Sequence, residues 1–132
     1  MMRSFRAHPS SLHEIRAFVR VEAGRESFSQ LAVDDVVLAV SEACANAIVH
    51  TNSASIDIAC RFSARAAEIQ VRDEGVFRRR LSLAPTPEGR RRGIPLMMSL
   101  MDEVSITEGT PGHPGTLIRL AKYLDRDQPG SD

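Results

Sequence analysis

The chain has 132 residues, about the size of one domain and enough for a hydrophobic core without disulfides. Apolar residues make up 42% and charged residues 26% of the sequence, which is typical of a globular protein and argues against disorder throughout. Seventeen basic residues balance seventeen acidic ones, so no net charge draws nucleic acid to the surface as a whole.

Cysteine usage and hydropathy indicate the compartment. Cys44 and Cys60 lie in apolar-periodic segments without a CxxC spacing, which predicts two buried free thiols rather than a disulfide or a metal site. The sequence shows no apolar core of a signal peptide, and no stretch approaches the roughly 18 apolar residues of a membrane span. We expect a cytoplasmic protein.

The first half of the chain predicts a short strand followed by two helices. The strand is expected at residues 4–7, and Ser10 or Ser11 then caps a helix that runs to about residue 23. Glu14, three residues after Ser11, would complete a capping box. A broad apolar stripe with helical periodicity predicts the second helix over residues 33–49.

In the second half, apolar residues alternate with polar ones, which predicts strands. Strands are expected near 56–62, 69–71, 104–107 and 116–124, with a helix at 95–101 and a long, functional loop at 73–93. Helices that precede and interrupt such grouped strands favour an α+β arrangement, with the helices packed on one face of a largely antiparallel sheet.

Three polar residues are spaced by four along the second predicted helix. Glu42, Asn46 and His50 therefore climb one face, each rotated by about 40° from the last. Glu42 and Asn46 lie at the border of the apolar stripe, where they can face a cleft. An asparagine oxygen suits Mg²⁺, and a glutamate can take a proton from a hydroxyl or from water. A solvated polar face explains the same spacing, and His50 suits the C-terminal end of a helix dipole.

Asp73 and Gly75 follow the predicted strand at 69–71. A carboxylate at a strand end can accept a hydrogen bond from an exocyclic amine such as that of adenine. A glycine two residues later lets a flat ring approach the backbone without meeting a Cβ atom. The same residues also form a common turn, and the pair Gly115-Thr116 likewise fits a turn that opens a strand.

An arginine-rich segment at 89–93, which includes Arg92 and Gly93, stands immediately before the predicted third helix. Backbone N–H groups at a helix N-terminus attract phosphates, and arginine matches phosphate oxygens. A nucleic-acid patch is the competing interpretation, but no aromatic residues are interleaved to stack on bases. A second run, Arg78–Arg80, suits either phosphates or a protein partner.

The order of these features is more specific than any one of them. Glu42-x-x-x-Asn46, Asp73-x-Gly75, Arg92-Gly93 and Gly115-Thr116 together resemble the ATP-binding boxes of the GHKL superfamily, which includes histidine kinases and type II topoisomerases. The phrases LAVSEACANAIVHT, GIPLMMSLMDEV and GTLIRLAK most resemble its anti-sigma factor serine/threonine kinases, over about residues 5–124. A histidine kinase fragment is less expected, because no phospho-accepting helical hairpin precedes the domain.

This resemblance implies a Bergerat-type ATP-binding fold, a two-layer α+β sandwich with about three helices on one face of a largely antiparallel mixed sheet. It implies one domain at 1–124 with a disordered tail at 125–132, and ATP and Mg²⁺ as cofactors. The implied roles are general base for Glu42, Mg²⁺ ligand for Asn46, adenine contacts for Asp73, Gly75 and Thr116, and phosphate lid for Arg92 and Gly93.

The implied activity is transfer of phosphate to a serine or threonine of an anti-sigma factor antagonist. The implied partners are that antagonist and a sigma factor that the kinase sequesters, with homodimers common in the family and neither nucleic acid nor membrane bound directly. This assignment makes the protein a bacterial transcription regulator.

Two departures from the family pattern bear on that activity. The family usually shows Asp-x-Gly-x-Gly, whereas Val76 and Phe77 follow Gly75 here. Either Phe77 replaces the second glycine, or one residue has been lost and Phe77 matches an aromatic residue that often follows. Arg91 stands where a glycine commonly precedes the lid arginine. A module of the same fold that only sequesters its partner is therefore the alternative function, and a free-standing ATPase is a third.

Overall fold

The computed structural model describes residues 1–26, 28–51, 53–75, 93–107, 112 and 115–123. The elements in chain order are β1 (Met2–Arg6), α1 (Leu12–Ala23), α2 (Gln30–His50), β2 (Ser55–Phe62), β3 (Ala66–Asp73), α3 (Gly93–Leu100), β4 (Glu103–Thr107) and β5 (Thr116–Tyr123). Residues 76–92, most of the predicted long loop, and the tail at 125–132 lie outside the described residues. Among the helices that are described, none combines the length and the apolar character needed to cross a membrane.

The five strands form one sheet in the order β1-β2-β3-β5-β4. All four described pairings are antiparallel, so no parallel pair among these strands makes the sheet mixed. The central strand β3 pairs with β2 on one side and β5 on the other, and its last residue, Asp73, stands opposite Ile56 and Thr116. The predicted α+β fold is confirmed.

Alternate strand residues point to the helices, which is why the strands show period-two burial. Most helix-facing residues of the three central strands are buried, whereas most of their neighbours in sequence are more exposed. Together with apolar residues of all three helices they form one core. The strand residues in this core include Ile56, Ile58, Cys60, Ile69, Val71, Ile118 and Leu120.

The predicted capping box at the start of α1 is wrong. A short 3-10 turn at Pro9–Ser11 precedes the helix, so Ser11 already has helical dihedral angles, with φ −80° and ψ −15°, and its side chain makes no capping bond. An N-cap residue needs an extended backbone, and His8 has one. The Nδ1 atom of His8 accepts the N–H of Ser10 at 3.1 Å and so caps the 3-10 turn instead.

The second helix begins three residues before its predicted start. Ser29 has an extended backbone, and its Oγ accepts the N–H of Ala32 at 3.1 Å, which fixes the first turn at Gln30. The apolar stripe alone could not reveal this turn, because Leu31 is exposed.

The cysteines are free and buried, as their apolar surroundings predicted. Burial raises the pKa of the Cys44 thiol far above its ordinary value, and it raises the pKa of Cys60 to about 12. Such thiols stay protonated at neutral pH, and the thiolate is the reactive form. Both cysteines therefore act as small apolar core residues.

Candidate functional site

Asp73 places a carboxyl group on the helix-facing side of the sheet. It continues the alternation of Ile69 and Val71, so its side chain is buried, with 3% of the residue exposed. Burial raises the pKa of Asp73 to about 6, while hydrogen bonds from the backbone N–H groups of Gly75 and Thr116 oppose that rise. An acidic side chain is rarely buried unless it has a partner to bind. Asp73 is therefore a candidate acceptor for a ligand.

The backbone closes tightly around this carboxyl group. The N–H of Gly75 donates to Asp73 Oδ1 at 2.9 Å, and the N–H of Gly115 donates to the carbonyl oxygen of Gly75 at 3.0 Å. Thr116, opposite Asp73 in the sheet, is 1% exposed. Three of the residues assigned to adenine by resemblance therefore meet at the end of two neighbouring strands, and their roles stay predictions.

Gly115 is held in a conformation that other residues rarely adopt. Its φ is 118°, and a Cβ atom there would lie 3.2 Å from the carbonyl oxygen of Asp73. Gly115→Ala is expected to lower the free energy of unfolding by about 1–3 kcal/mol, because strained backbone and crowding against β3 add together.

Urea denaturation measures this effect, and Gly112→Ala is the matched control. A Cβ atom at Gly112 would meet no heavy atom within 4 Å, so its unfolding free energy should change little. Equal stability of the two variants would contradict the prediction.

The helix α2 carries the other two polar site residues. Glu42 is half-buried, and Asn46, one turn further on, is buried with 7% of the residue exposed. The Asn46 Nδ2 atom is buried, and none of the residues that the structure describes gives it a hydrogen-bond partner. A buried amide group normally makes at least one hydrogen bond, because leaving it unpaired costs about 1–3 kcal/mol. Among the described residues, the Asn46 Nδ2 atom is therefore left as a buried donor that a ligand could satisfy.

The C-terminal end of α2 lies next to the end of β3. Thr51 Oγ1 donates to the carbonyl oxygen of Ala47, the residue that follows Asn46, at 2.6 Å. Two residues after Thr51, Ser53 Oγ accepts the N–H of Glu74, the residue that follows Asp73, at 3.0 Å. Since α2 also packs on the sheet face to which Asp73 points, the residues Asn46 and Asp73 lie on one side and at one end of the sheet.

The third helix packs against the helix that carries Asn46. Gly93 is its first residue, and Ile94 and Met97 are buried in the core, where α3 packs against α2. Arg92 lies outside the described residues, as do the departures at Val76, Phe77 and Arg91 and the run Arg78–Arg80. The predicted phosphate lid is thus represented only by its last residue, at the N-terminus of α3.

These groups fit a purine nucleotide with Mg²⁺. A buried carboxyl group can accept from the exocyclic amine, and the Asn46 Nδ2 atom, which has no partner among the described residues, can donate to a phosphate oxygen. An asparagine side-chain oxygen is a ligand type that Mg²⁺ accepts. No cluster of three or more His, Cys, Asp or Glu residues that could hold a metal occurs among the described residues. Mg²⁺ commonly binds few protein groups together with substrate phosphates, and the role of Asn46 as its ligand stays a prediction.

The sequence analysis did not identify the structural roles of Thr51 and Ser53. Composition assigns residues 50–53 to a loop, yet Thr51 is 3% exposed and both hydroxyls bond to backbone groups. Hydroxyl residues just after a helix often form such local bonds, and that signal could have identified Thr51. The Ser53 contact with Glu74 spans 21 residues, and no local pattern reveals it.

Comparison with known proteins identifies the family of the chain. Residues 5–122 match the model of the histidine kinase-like ATPase domain. The chain is 34% identical to the anti-sigma F factor of Thermoanaerobacter sp. (strain X514), with 73% of each chain covered. It is 30% identical to the serine-protein kinase RsbW of Bacillus subtilis (strain 168), with 96% of this chain and 86% of the relative covered.

Solved structures give the same fold at lower identity. The RsbU and RsbW domains of a Mycobacterium tuberculosis protein match with a TM-score of 0.69 and 19% identity over 92% of this chain, which corresponds to 31% of that chain. The histidine kinase domain of a blue-light activated kinase from Erythrobacter litoralis matches with a TM-score of 0.59, 20% identity and 89% of this chain covered. From the domain match and the identity to these relatives, the chain belongs to the histidine kinase-like ATPase family, on the branch of the anti-sigma factor serine kinases.

Proposed function

We propose that this protein is an anti-sigma factor that also uses Mg-ATP to phosphorylate a serine or threonine of an anti-sigma factor antagonist. The unpaired, buried amide of Asn46 carries this proposal, because it lies one turn from a half-buried glutamate and at the same end of the sheet as the buried Asp73. The names of the relatives support both activities, since one is an anti-sigma F factor and another a serine-protein kinase.

In this proposal each residue has a distinct task. Asp73 accepts the adenine amine, Gly75 admits the ring and Thr116 closes the pocket behind it. Asn46 holds Mg²⁺, which neutralises charge on the phosphates when it is bound. Glu42 takes the proton from the acceptor hydroxyl as the hydroxyl oxygen bonds to the γ-phosphorus and ADP leaves. Arg92 and Gly93 cover the phosphates from the lid.

The assembly and the location of the protein belong to the same proposal. Its partners are a sigma factor and the antagonist, and it forms a homodimer in the cytoplasm. One ATPase domain at 1–124, followed by a tail at 125–132, carries all of these contacts. No direct contact with nucleic acid or membrane is needed, since the chain regulates transcription by binding protein.

Two measurements test the proposal in sequence. Mg-ATP at 100 times its dissociation constant should stabilise the protein by about 2.7 kcal/mol, seen as a raised melting temperature. Radiolabelled ATP should then transfer phosphate to a serine or threonine of a purified antagonist of the same bacterium. No rise in melting temperature at millimolar Mg-ATP would count against nucleotide binding.

The second candidate function is sequestration without catalysis. The two departures from the family pattern, the missing second glycine at Val76-Phe77 and Arg91 in place of a glycine, favour it because a side chain obstructs the approach of backbone to phosphate. A protein of this kind would bind its sigma factor equally well with and without Mg-ATP. Binding of ATP without transfer to any antagonist would also favour this candidate.

A further inference from the structure

The two ends of the proposed nucleotide site lie on different elements. Asn46 is on α2 and Asp73 is at the end of β3, so the distance between them depends on how the C-terminal end of α2 is held against the sheet. A ligand that touches both residues at once binds best when that distance is fixed in advance.

A pair of hydroxyl groups bridges this gap. Thr51 is buried, and its backbone N–H and Oγ1 both donate to the carbonyl oxygen of Ala47, at 3.2 and 2.6 Å. The same Oγ1 accepts the N–H of Ser53 at 3.3 Å. Thr51 therefore closes the last turn of α2 and fixes the start of the segment that leaves it.

Ser53 continues the connection to the sheet. Its Oγ donates to the carbonyl oxygen of Ser55 at 2.7 Å and accepts the N–H of Glu74 at 3.0 Å. Glu74 lies between Asp73 and Gly75, and the N–H of Gly75 is bonded to the Asp73 carboxyl group. The hydroxyl of Ser53 thus holds the turn that shapes the acceptor end of the site.

We propose that Thr51 and Ser53 are positioning residues, which set the separation between Asn46 and Asp73 so that one ATP molecule can reach both. This inference rests on the proposed function. It assigns a task to two residues that touch no ligand themselves and that act through Ala47 and Glu74. The bridge makes adenine binding at one end favour phosphate binding at the other.

Ser53→Ala tests the contact between the end of α2 and the end of β3, because Ser53 is the residue that bonds to Glu74. The variant loses both hydrogen bonds of the Ser53 hydroxyl, to the carbonyl oxygen of Ser55 and from the N–H of Glu74, and this should weaken Mg-ATP binding about threefold to tenfold, measured by titration calorimetry. Adenosine, which reaches only the Asp73 end, should lose less affinity than ATP. Ser53→Thr keeps the hydroxyl and should restore ATP affinity.

Ser63→Ala is the matched control for a merely structural effect. Ser63 Oγ accepts the N–H groups of Arg65 and Ala66, both at 3.2 Å, at the opposite end of the β2–β3 hairpin. Both alanine variants should lower the melting temperature, but only Ser53→Ala should weaken ATP binding. Equal ATP affinity of Ser53→Ala and the unmodified protein, or an equal loss for adenosine, overturns the proposal.

Failure of the proposed function has its own signature. If the unmodified protein binds no Mg-ATP, the proposed nucleotide site is wrong. Amide hydrogen exchange in the ligand-free protein then tests whether the hydroxyl groups of Thr51 and Ser53 hold α2 against the end of β3. Ser53→Ala should speed exchange at Glu74 and Gly75 but leave Arg65 and Ala66 unchanged. Unchanged exchange at Glu74 would show that Ser53 does not hold the turn after Asp73, and it would contradict the inference.

Discussion

Glu42→Ala is expected to lower the rate of phosphate transfer to the antagonist by about 10²–10⁴-fold, the usual cost of losing one positioned general base. Glu42 is half-buried on α2, one turn before the buried Asn46. In the proposed mechanism it takes the proton of the incoming hydroxyl, while Asn46 serves the phosphate side. The affinity for Mg-ATP should change little if Glu42 contacts the acceptor and not the nucleotide, as proposed.

Transfer of radiolabelled phosphate under single-turnover conditions measures this loss directly. Glu42→Gln has nearly the same shape but cannot take a proton, so it should be as slow as the alanine variant. Glu14→Ala, which removes an exposed acid in the first turn of α1, is the control and should keep full activity. An active Glu42→Gln variant would show that the carboxylate does not act as a base.

The spacing of apolar residues predicted the fold well, because the residues at helical or alternating spacing are the ones that are buried. The stripe on α2 and the alternation in β2, β3 and β5 correspond to the single core that the helices share with the sheet. Element ends were less predictable, because they depend on single hydrogen bonds. Ser29 and His8 cap turns that no apolar pattern marks, so α2 starts at Gln30 and α1 follows a 3-10 turn.

The candidate site was predictable as a set of residues but not as a geometry. The spacing of Glu42 and Asn46 placed both on one helix face, and Asp73 was expected at a strand end. The sequence does not show which helix and strand ends lie together, because the hydrogen bonds that join them connect residues far apart in the chain. The left-handed backbone at Gly115, pressed against Asp73, is likewise a consequence of strand pairing.

Asp73→Asn is expected to weaken ATP binding about tenfold to a hundredfold, in line with hydrogen bonds to charged groups of about 1.5–3 kcal/mol. The amide oxygen can still accept the N–H of Gly75, as Asp73 Oδ1 does at 2.9 Å, so the turn should survive. The other oxygen, however, is replaced by an NH2 donor, so the proposed site loses an acceptor for the adenine amine, and the N–H of Thr116 loses a charged partner. Because guanine presents a carbonyl oxygen at that position, the preference for ATP over GTP should shrink as well.

The effect of pH separates this role from general damage to the fold. Burial raises the pKa of Asp73 to about 6, so ATP affinity should be constant above pH 7 and fall as the carboxylate is protonated below pH 6. Since this pKa lies above the ordinary value of 3.8, protonation of Asp73 stabilises the ligand-free fold as pH falls from 7 towards 4. Weaker binding at pH 5 would therefore not come from unfolding through this group.

Titration with a fluorescent ATP analogue from pH 5 to 8 should show the fall in ATP affinity in the unmodified protein and a flat profile in Asp73→Asn. An unmodified protein that binds equally well at pH 5 and 7 would remove Asp73 from the nucleotide site.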